Sequence, residues 1–243
     1  MSEERYSKRP GGKLASRPLH FFWAVDCSSS MSGDKIGAVN HAIQEALPDM
    51  RAAAKDNPNA ELLIRALQFS TGASWVTPAW TNVDEFFWTD MDANGVTDLG
   101  EAFRLLAAEL SIPPMPERAL PPVIVLLSDG LPTDNYEPSL KQLLALPWAK
   151  KAVRIAIAIG SEVDEDVLLE FTGNRELILH ANNSSTLVKL IKWASTVAAS
   201  VSKPNSRRSE DGDAPATDKS KAEAKGVPLE TLPAADEDGN VVW

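Results

Sequence analysis

An aspartate and two serines stand close together after an apolar stretch near the start of the chain. The stretch runs from Phe21 to Val25, and Asp26, Ser28 and Ser30 follow it. One carboxylate and two hydroxyl groups are hard oxygen donors, which suit Mg²⁺, Ca²⁺ or Mn²⁺ better than zinc. Turn and cap residues produce the same pattern after many strands, so this motif alone does not establish a site.

Two later segments add oxygen donors of the same kind. Thr97 lies in GVTDLGEA, where a loop enters an amphipathic helix, and Asp129 follows the apolar run VIVLLS. Polar residues at the carboxyl ends of buried parallel strands meet in the crevice where open α/β sheets bind ligands. The sequence therefore predicts that five oxygen-bearing residues lie at the same edge of the sheet: Asp26, Ser28, Ser30, Thr97 and Asp129.

Strands alternate with helices along the chain, which predicts a doubly wound α/β fold with a mostly parallel central sheet flanked by helices. Pro48 should kink or split the first helix, and Pro78 favours an edge position for the third strand. Strands are predicted at 19–26, 61–70, 73–80, 123–130, 153–160 and 176–180. Helices are predicted at 35–55, from 97 or 98 to 110, at 138–151 with a break at Pro147, at 164–171 and at 186–201.

Composition divides the 243 residues into three parts. Residues 1–17 are polar and basic and predict a flexible arm, and 18–202 contain the folded domain. Residues 203–243 predict a disordered linker with a short apolar motif near the C-terminus, VPLETLP followed by VVW. Such a motif could dock on a partner, pack on its own domain, or carry no function. We expect it to dock on a partner, because a detachable motif on a flexible linker suits an adaptor.

The formal net charge of −10 argues against nucleic acid as the main partner, since an acidic domain repels phosphate backbones. No apolar run approaches the length of about 20 residues that spans a bilayer, so we expect no membrane partner. The N-terminus lacks the apolar region of a secretory signal, and the single cysteine fits a reducing compartment. These features predict a soluble cytoplasmic protein.

The single cysteine and the three histidines do not share a metal-ligand spacing. Cys27 lies inside the serine-rich motif, whereas His20, His41 and His180 are scattered. A thiol near a cation could be reactive, but we expect Cys27 to be packed in the core. The histidines are expected to be ordinary core or surface residues.

The order of these motifs resembles the metal-ion-dependent adhesion site of von Willebrand factor A (vWA) domains, over about residues 20–202. Within that superfamily the chain resembles the bacterial tellurite-resistance TerY-type proteins. The segments that carry this resemblance are DCSSSMSGDKIGAVN, GVTDLGEAFRLL, LLSDGLPTDN, IAIAIG and LIKWAS.

The resemblance implies a bound divalent cation, Mg²⁺ or alternatively Mn²⁺ or Ca²⁺. Ser28, Ser30 and Thr97 would be hydroxyl ligands, and Asp26 and Asp129 would act directly or through water. An open coordination position would accept a carboxylate from a partner protein. The chain departs from the family pattern at Cys27, in the variable position, and at 94–96, where Asn-Gly-Val replaces the commoner Gly-Gly pair.

Three functional classes remain open. The favoured class is a non-enzymatic, metal-dependent interaction adaptor, because no residue of the motifs is arranged as a general base or nucleophile. TerY-type proteins commonly occur beside a serine/threonine kinase and a PP2C-like phosphatase, so the resemblance implies phosphorylation signalling or a tellurite or stress response. The alternatives are an assembly subunit of an AAA+ ATPase, or a metal-dependent hydrolase or phosphotransferase. The last lacks D-x-D at the strand end, G-x-S-x-G, Walker A and G-x-G-x-x-G motifs.

Overall fold

A computed structural model describes residues 16–57, 59–161, 163–201 and 227–233. The predicted arm at 1–17 lies outside this part except at its end, and the predicted linker at 203–226 and the last ten residues also lie outside it. The strands are β1 (Arg17–Asp26), β2 (Ala60–Ser70), β3 (Gly72–Trp75), β4 (Thr81–Asn82), β5 (Val123–Ser128), β6 (Val153–Ile159) and β7 (Ile178–Ala181). The helices are α1 (Asp34–Lys55), α2 (Leu99–Leu110), α3 (Glu137–Ala145), α4 (Pro147–Lys151), α5 (Glu165–Thr172) and α6 (Ser184–Val201).

The strands form one sheet in the order β3-β2-β1-β5-β6-β7, and the short β4 pairs with β2 outside this order. β1 is central and pairs in parallel with β2 on one side and with β5 on the other. The pairs β5–β6 and β6–β7 are also parallel, whereas β3 and β4 run antiparallel to β2. The predicted doubly wound, mostly parallel α/β fold is therefore confirmed.

Apolar side chains alternate between the two faces of the central strands. In β1, Phe21 and Trp23 pack into the core under α1 and α6, while Phe22 and Ala24 pack into the core under α2 to α5. β5 alternates in the same way and all six of its residues are buried. Each central strand is thus covered on both faces, which explains its continuous apolar sequence.

β1 and β5 are neighbours in the sheet, and the segments that follow these two strands lead to opposite faces of the sheet. The chain after β1 forms α1 on one face, whereas the chain after β5 forms α3 on the other face. A crevice opens at the carboxyl ends of such a strand pair, because the two connections diverge there. Asp26 and Asp129 stand at this point.

The structure differs from the sequence-based expectation at several element ends. α1 is a single helix through Pro48, because buried residues on both sides of the proline, including Leu47 and Met50, hold it against the core. β3 is an edge strand as predicted but ends at Trp75, and β4 was not predicted. The predicted break at Pro147 is confirmed. The helix predicted at 164–171 is α5, and Asp164 caps its N-terminus by accepting a hydrogen bond from the N–H of Asp166.

The C-terminal segment 227–233 folds back onto its own domain. Val227 is 2% exposed and belongs to the core under α1 and α6, and Leu229 and Leu232 pack against the same core. The indole N–H of Trp193 in α6 donates to the carbonyl of Pro228 at 3.3 Å. The expectation that VPLETLP docks on a partner is therefore wrong for these seven residues, since their apolar side chains are satisfied within the chain.

The predicted basic arm also ends slightly earlier than expected, because Arg17 is the first residue of β1. Its backbone N–H donates to the carbonyl of Asn59 at 3.0 Å, and its guanidinium donates to the carbonyl of Ala119. Among the described helices, none is long and apolar enough to cross a membrane.

Candidate metal centre

Asp26 is the last residue of β1 and its side chain is held from two directions. Its Oδ1 accepts the backbone N–H of Ser28 at 2.8 Å, and its Oδ2 accepts the hydroxyl of Ser128 at 2.7 Å. The residue is completely buried. Burial raises the pKa of Asp26, and the charge of Asp129 raises it further, while the hydrogen bonds from Ser128 and Ser28 oppose this shift. These bonds fix the orientation of a carboxylate that borders the crevice.

The serines after β1 extend this network toward the surface. Ser28 and Ser30 lie 2.9 Å apart between their Oγ atoms, and the Ser30 hydroxyl donates to Oδ1 of Asp129 at 2.7 Å. A short 3₁₀ turn at Ser29–Met31 places these alternate hydroxyls on one side. Ser28 is buried whereas Ser30 is exposed, so the row of oxygens leads from the core to solvent.

Asp129 follows β5 and forms an ion pair that the sequence analysis did not anticipate. Its Oδ2 lies 2.5 Å from Nζ of Lys35 in the first turn of α1. The side chain of Asp129 is fully buried and that of Lys35 is 21% exposed. Both oxygens of Asp129 are therefore engaged, one by the Ser30 hydroxyl and one by an ammonium group.

Thr97 reaches the same crevice from the loop before α2. Its backbone N–H donates to the hydroxyl of Thr133 at 3.0 Å, and its carbonyl accepts the N–H of Thr133 at 2.9 Å. A Cβ atom added at Gly130 would lie 3.5 Å from the Ser30 Oγ and 3.9 Å from the Thr97 Oγ1. Gly130 therefore keeps a space open between these two hydroxyls.

The loop at 94–96 is anchored to the serine-rich loop, despite its departure from the commoner Gly-Gly pair. The N–H of Asn94 donates to the carbonyl of Cys27 at 2.7 Å, and the carbonyl of Gly95 accepts the N–H of Ser29 at 3.0 Å. Gly95 has φ +79°, and a Cβ there would meet Oγ1 of Thr71 at 2.4 Å. One glycine at this position is enough to bring the Thr97 loop against the site.

The structure thus brings together all five residues that the sequence singled out. It adds three residues that position them: Lys35 on Asp129, Ser128 on Asp26, and Thr133 on the backbone of Thr97. Ser128 and Thr133 belong to the LLSDGLPTDN segment around Asp129, which was a signal that they lie near the site but not of which residues they contact. Lys35 carried no such signal, because its role depends on how α1 packs against the end of β5.

Cys27 and the histidines take no part in this arrangement. Cys27 is buried, with its Sγ 3.8 Å from Sδ of Met91. Burial and the nearby charges of Asp26 and Asp92 raise the pKa of Cys27 to about 12, in agreement with the expectation that this residue is packed in the core. His20 is buried against Trp80, and His180 lies by Glu165 on the surface.

The donor set fits a hard divalent cation. It consists of three hydroxyls and two carboxylates, and in the described part of the chain no group of three or more His, Cys, Asp or Glu residues could hold a metal ion. A cation here would therefore depend on serine and threonine oxygens, as Mg²⁺, Mn²⁺ and Ca²⁺ can. The Lys35 ammonium already places one positive charge against Asp129.

No protein-family model and no curated protein sequence matches the chain. Solved structures do resemble it. A von Willebrand factor type A protein from Catenulispora acidiphila superposes with a TM-score of 0.56 at 16% identity, over 76% of this chain and 43% of that chain. The pilus adhesin SpaC from Lactobacillus rhamnosus GG, in its open conformation, has a TM-score of 0.56 at 15% identity, over 76% and 30%.

A third structure is proximal thread matrix protein 1 from the mussel byssus with a zinc-occupied MIDAS (metal-ion-dependent adhesion site) motif. Its TM-score is 0.54 at 17% identity, over 77% of this chain and 47% of that chain. The chain spans less than half the length of each of these three proteins. These likenesses identify the fold as that of a vWA domain, in agreement with the sequence analysis.

Proposed function

We propose that this protein is a non-enzymatic, metal-dependent interaction adaptor that binds a partner through a divalent cation held at the crevice. The observation that carries this proposal is the convergence of five oxygen-bearing residues from three separate loops: Asp26, Ser28, Ser30, Thr97 and Asp129. The cation is Mg²⁺, with Mn²⁺ or Ca²⁺ as alternatives that suit the same oxygen donors.

The hydroxyls of Ser28, Ser30 and Thr97 would hold the ion, and Asp26 and Asp129 would balance its charge directly or through water. Neutral hydroxyl ligands leave the ion electrophilic, so a bound cation supplies a position that accepts a carboxylate oxygen from a partner. The exposure of Ser30 gives such a group access to the site. The zinc-occupied MIDAS motif of the mussel protein supports the proposal that this fold binds a divalent cation.

The hydrogen bonds of the site favour binding over catalysis. Asp26 accepts bonds through both oxygens, and Asp129 is engaged by Ser30 and Lys35. These contacts come from groups of the site itself and hold each carboxylate in a fixed orientation, which suits a group that balances the charge of a bound ion. The Ser28 and Ser30 hydroxyls bond to each other, and Ser30 also donates to Asp129. No histidine contacts either hydroxyl in the described hydrogen bonds.

Two exposed apolar side chains border the site. Val96 is 46% exposed and precedes Thr97, and Leu131 is 59% exposed and lies two residues after Asp129. Apolar contact around a central charged anchor is the arrangement expected of a protein interface. We therefore expect the partner to present an acidic side chain flanked by apolar groups.

The resemblance to TerY-type proteins supports a narrower proposal for the partner. The segments DCSSSMSGDKIGAVN and LLSDGLPTDN contain four of the five site residues together with Lys35 and Ser128. Since TerY-type proteins occur beside a serine/threonine kinase and a PP2C-like phosphatase, we propose these enzymes as partners. The adaptor would then act in bacterial phosphorylation signalling, in a tellurite or general stress response.

The test is capture of binding partners by the full-length protein from its native cells, in Mg²⁺, in EDTA, and in EDTA followed by added Mn²⁺. Wild type should capture its partner in Mg²⁺ and in restored Mn²⁺, and should lose it in EDTA. Thr97→Ala should lose it in all three, because one hydroxyl ligand is missing. Ser32→Ala is the matched control, since Ser32 lies in the same loop but its exposed hydroxyl donates to the carbonyl of Ala93 at 3.3 Å.

Partner capture that persists unchanged in EDTA would contradict the proposal and favour an AAA+ assembly subunit. Metal-dependent turnover of phosphoester or peptide substrates by the purified protein would contradict the non-enzymatic part. Identification of the captured proteins as a kinase or phosphatase tests the narrower proposal separately.

A further inference from the structure

The negative charges of the two buried carboxylates of the site have different kinds of partner. In the described contacts, Asp26 accepts hydrogen bonds only from neutral groups, the N–H of Ser28 and the hydroxyl of Ser128. Asp129 accepts one neutral hydroxyl, from Ser30, and one ammonium group, from Lys35 at 2.5 Å. Lys35 therefore supplies the positive charge in direct contact with the site.

The helix that carries Lys35 does not explain the presence of a lysine there. Lys35 is the second residue of α1, where the partial positive charge of the helix N-terminus disfavours a cation. Asp34, beside it, is the acidic residue that a first helical turn prefers. The position of the ammonium group is instead explained by Asp129, whose buried side chain would otherwise carry an uncompensated charge.

We propose that Lys35 is a tethered counter-cation that occupies Asp129 when no metal is bound and competes with the divalent cation for this carboxylate. The inference rests on the proposed metal binding at the same site. An ammonium group and a divalent ion that share one carboxylate repel each other at short range, and this repulsion is strong in a partly buried crevice. Lys35 would therefore lower the affinity for metal and stabilise the metal-free crevice.

Removing the ammonium group should consequently have two opposite effects. Metal affinity should rise, because the ion no longer competes with a fixed positive charge. Stability without metal should fall, because Asp129 remains buried without a charged partner. A residue that only supports the fold would not produce this combination, since its loss would weaken both properties or leave affinity unchanged.

The experiment compares the full-length wild type with Lys35→Met and Lys35→Arg. Lys192→Met is the matched control, because Lys192 pairs with Glu45 and Asp49 on the outer side of α1, away from the crevice. Mn²⁺ affinity is measured by electron paramagnetic resonance of the free ion. The melting temperature is measured in EDTA and in excess Mg²⁺.

We expect Lys35→Met to bind Mn²⁺ at least about tenfold more tightly than wild type, since one nearby unit charge is removed. Lys35→Arg keeps the charge and should keep an affinity near that of wild type, as should Lys192→Met. Lys35→Met should melt at a lower temperature than wild type in EDTA and recover in excess Mg²⁺. If this variant does not fold in EDTA, purification in Mg²⁺ and the comparison with Lys35→Gln give the same affinity test.

Equal or weaker Mn²⁺ binding by Lys35→Met, with clear binding by wild type, overturns the role of Lys35 and leaves the metal site standing. Absence of Mn²⁺ binding in wild type and in both uncharged variants overturns the inference together with the proposed function. Binding that appears only when the lysine is removed supports the inference, because it shows that the ammonium group excludes the ion.

Discussion

The packing of the C-terminal segment predicts that truncating a single side chain will lower the stability of the domain. Val227 is 2% exposed and joins the core under α1 and α6, although a long stretch outside the described residues separates it from α6. Val227→Ala removes two buried carbon groups, which contribute about 0.8 kcal/mol each. The expected loss in the free energy of unfolding is therefore about 1.6 kcal/mol, before any contribution from the cavity that remains.

The corresponding fall in melting temperature is about 3–6 °C for a domain of this size. Differential scanning calorimetry measures it, and Glu230→Ala is the matched control, because Glu230 is exposed in the same short turn. A melting temperature for Val227→Ala equal to those of wild type and Glu230→Ala would show that the segment does not contribute to the core.

Three further predictions follow from single residues. Gly130→Ala should leave stability within about 0.5 kcal/mol of wild type but weaken Mn²⁺ binding measured by calorimetry, because its Cβ would stand 3.5 Å from the Ser30 Oγ and 3.9 Å from the Thr97 Oγ1; unchanged affinity would place the ion elsewhere. An alanine in a left-handed backbone costs roughly 1–2 kcal/mol. Gly95→Ala should lower the free energy of unfolding in urea by more than this amount, because the new Cβ also meets Thr71 Oγ1 at 2.4 Å. Gly72 has a similar φ of +77°, and a Cβ added there meets nothing within 4 Å, so Gly72→Ala measures the cost of the backbone conformation alone. Equal losses of unfolding free energy in Gly95→Ala and Gly72→Ala would contradict the steric argument. Burial lowers the pKa of His20 from 6.5 to about 4, so the folded state disfavours the protonated ring. The contribution of neutral His20 to the free energy of unfolding is fully present above pH 6.5. It is lost as the pH falls toward 4, and the loss amounts to roughly 3 kcal/mol at most. His20→Phe should flatten urea-unfolding stability over this interval, and a slope identical to that of wild type would show that other groups cause it.

The sequence was sufficient to predict that the two aspartates lie at strand ends, because each follows an apolar run long enough to be a strand buried on both faces. It was also sufficient for Thr97, since the loop-to-helix transition in GVTDLGEA places a hydroxyl at the start of α2. What it did not contain is the adjacency of β1 and β5, on which the contact of Ser128 with Asp26 depends. The ion pair of Lys35 with Asp129 depends on the same adjacency and on the direction in which α1 leaves β1.

The C-terminal motif shows a different limit of sequence reasoning. A motif that docks on a partner and a motif that packs on its own domain both need apolar residues, so composition cannot distinguish these two alternatives. The choice depends on the apolar surface around Trp193, which is assembled only when α6 packs against α1 and the sheet. Pro48 is a similar case, because the helix propensity around it predicts a break that the packing of α1 overrides.

Isothermal titration calorimetry of wild type, Ser30→Ala, Thr97→Ala and Ser32→Ala measures the stoichiometry and affinity of Mn²⁺ binding at the crevice. We claim that loops distant in sequence form one cation site, so wild type should bind a single ion. Ser30→Ala and Thr97→Ala should each bind it at least about tenfold more weakly, the effect expected for loss of one interaction of about 1.4 kcal/mol. Ser32→Ala should bind as wild type does. A Thr97→Ala variant that binds Mn²⁺ as tightly as wild type would contradict the claim, because the loop before α2 would then contribute nothing to the site.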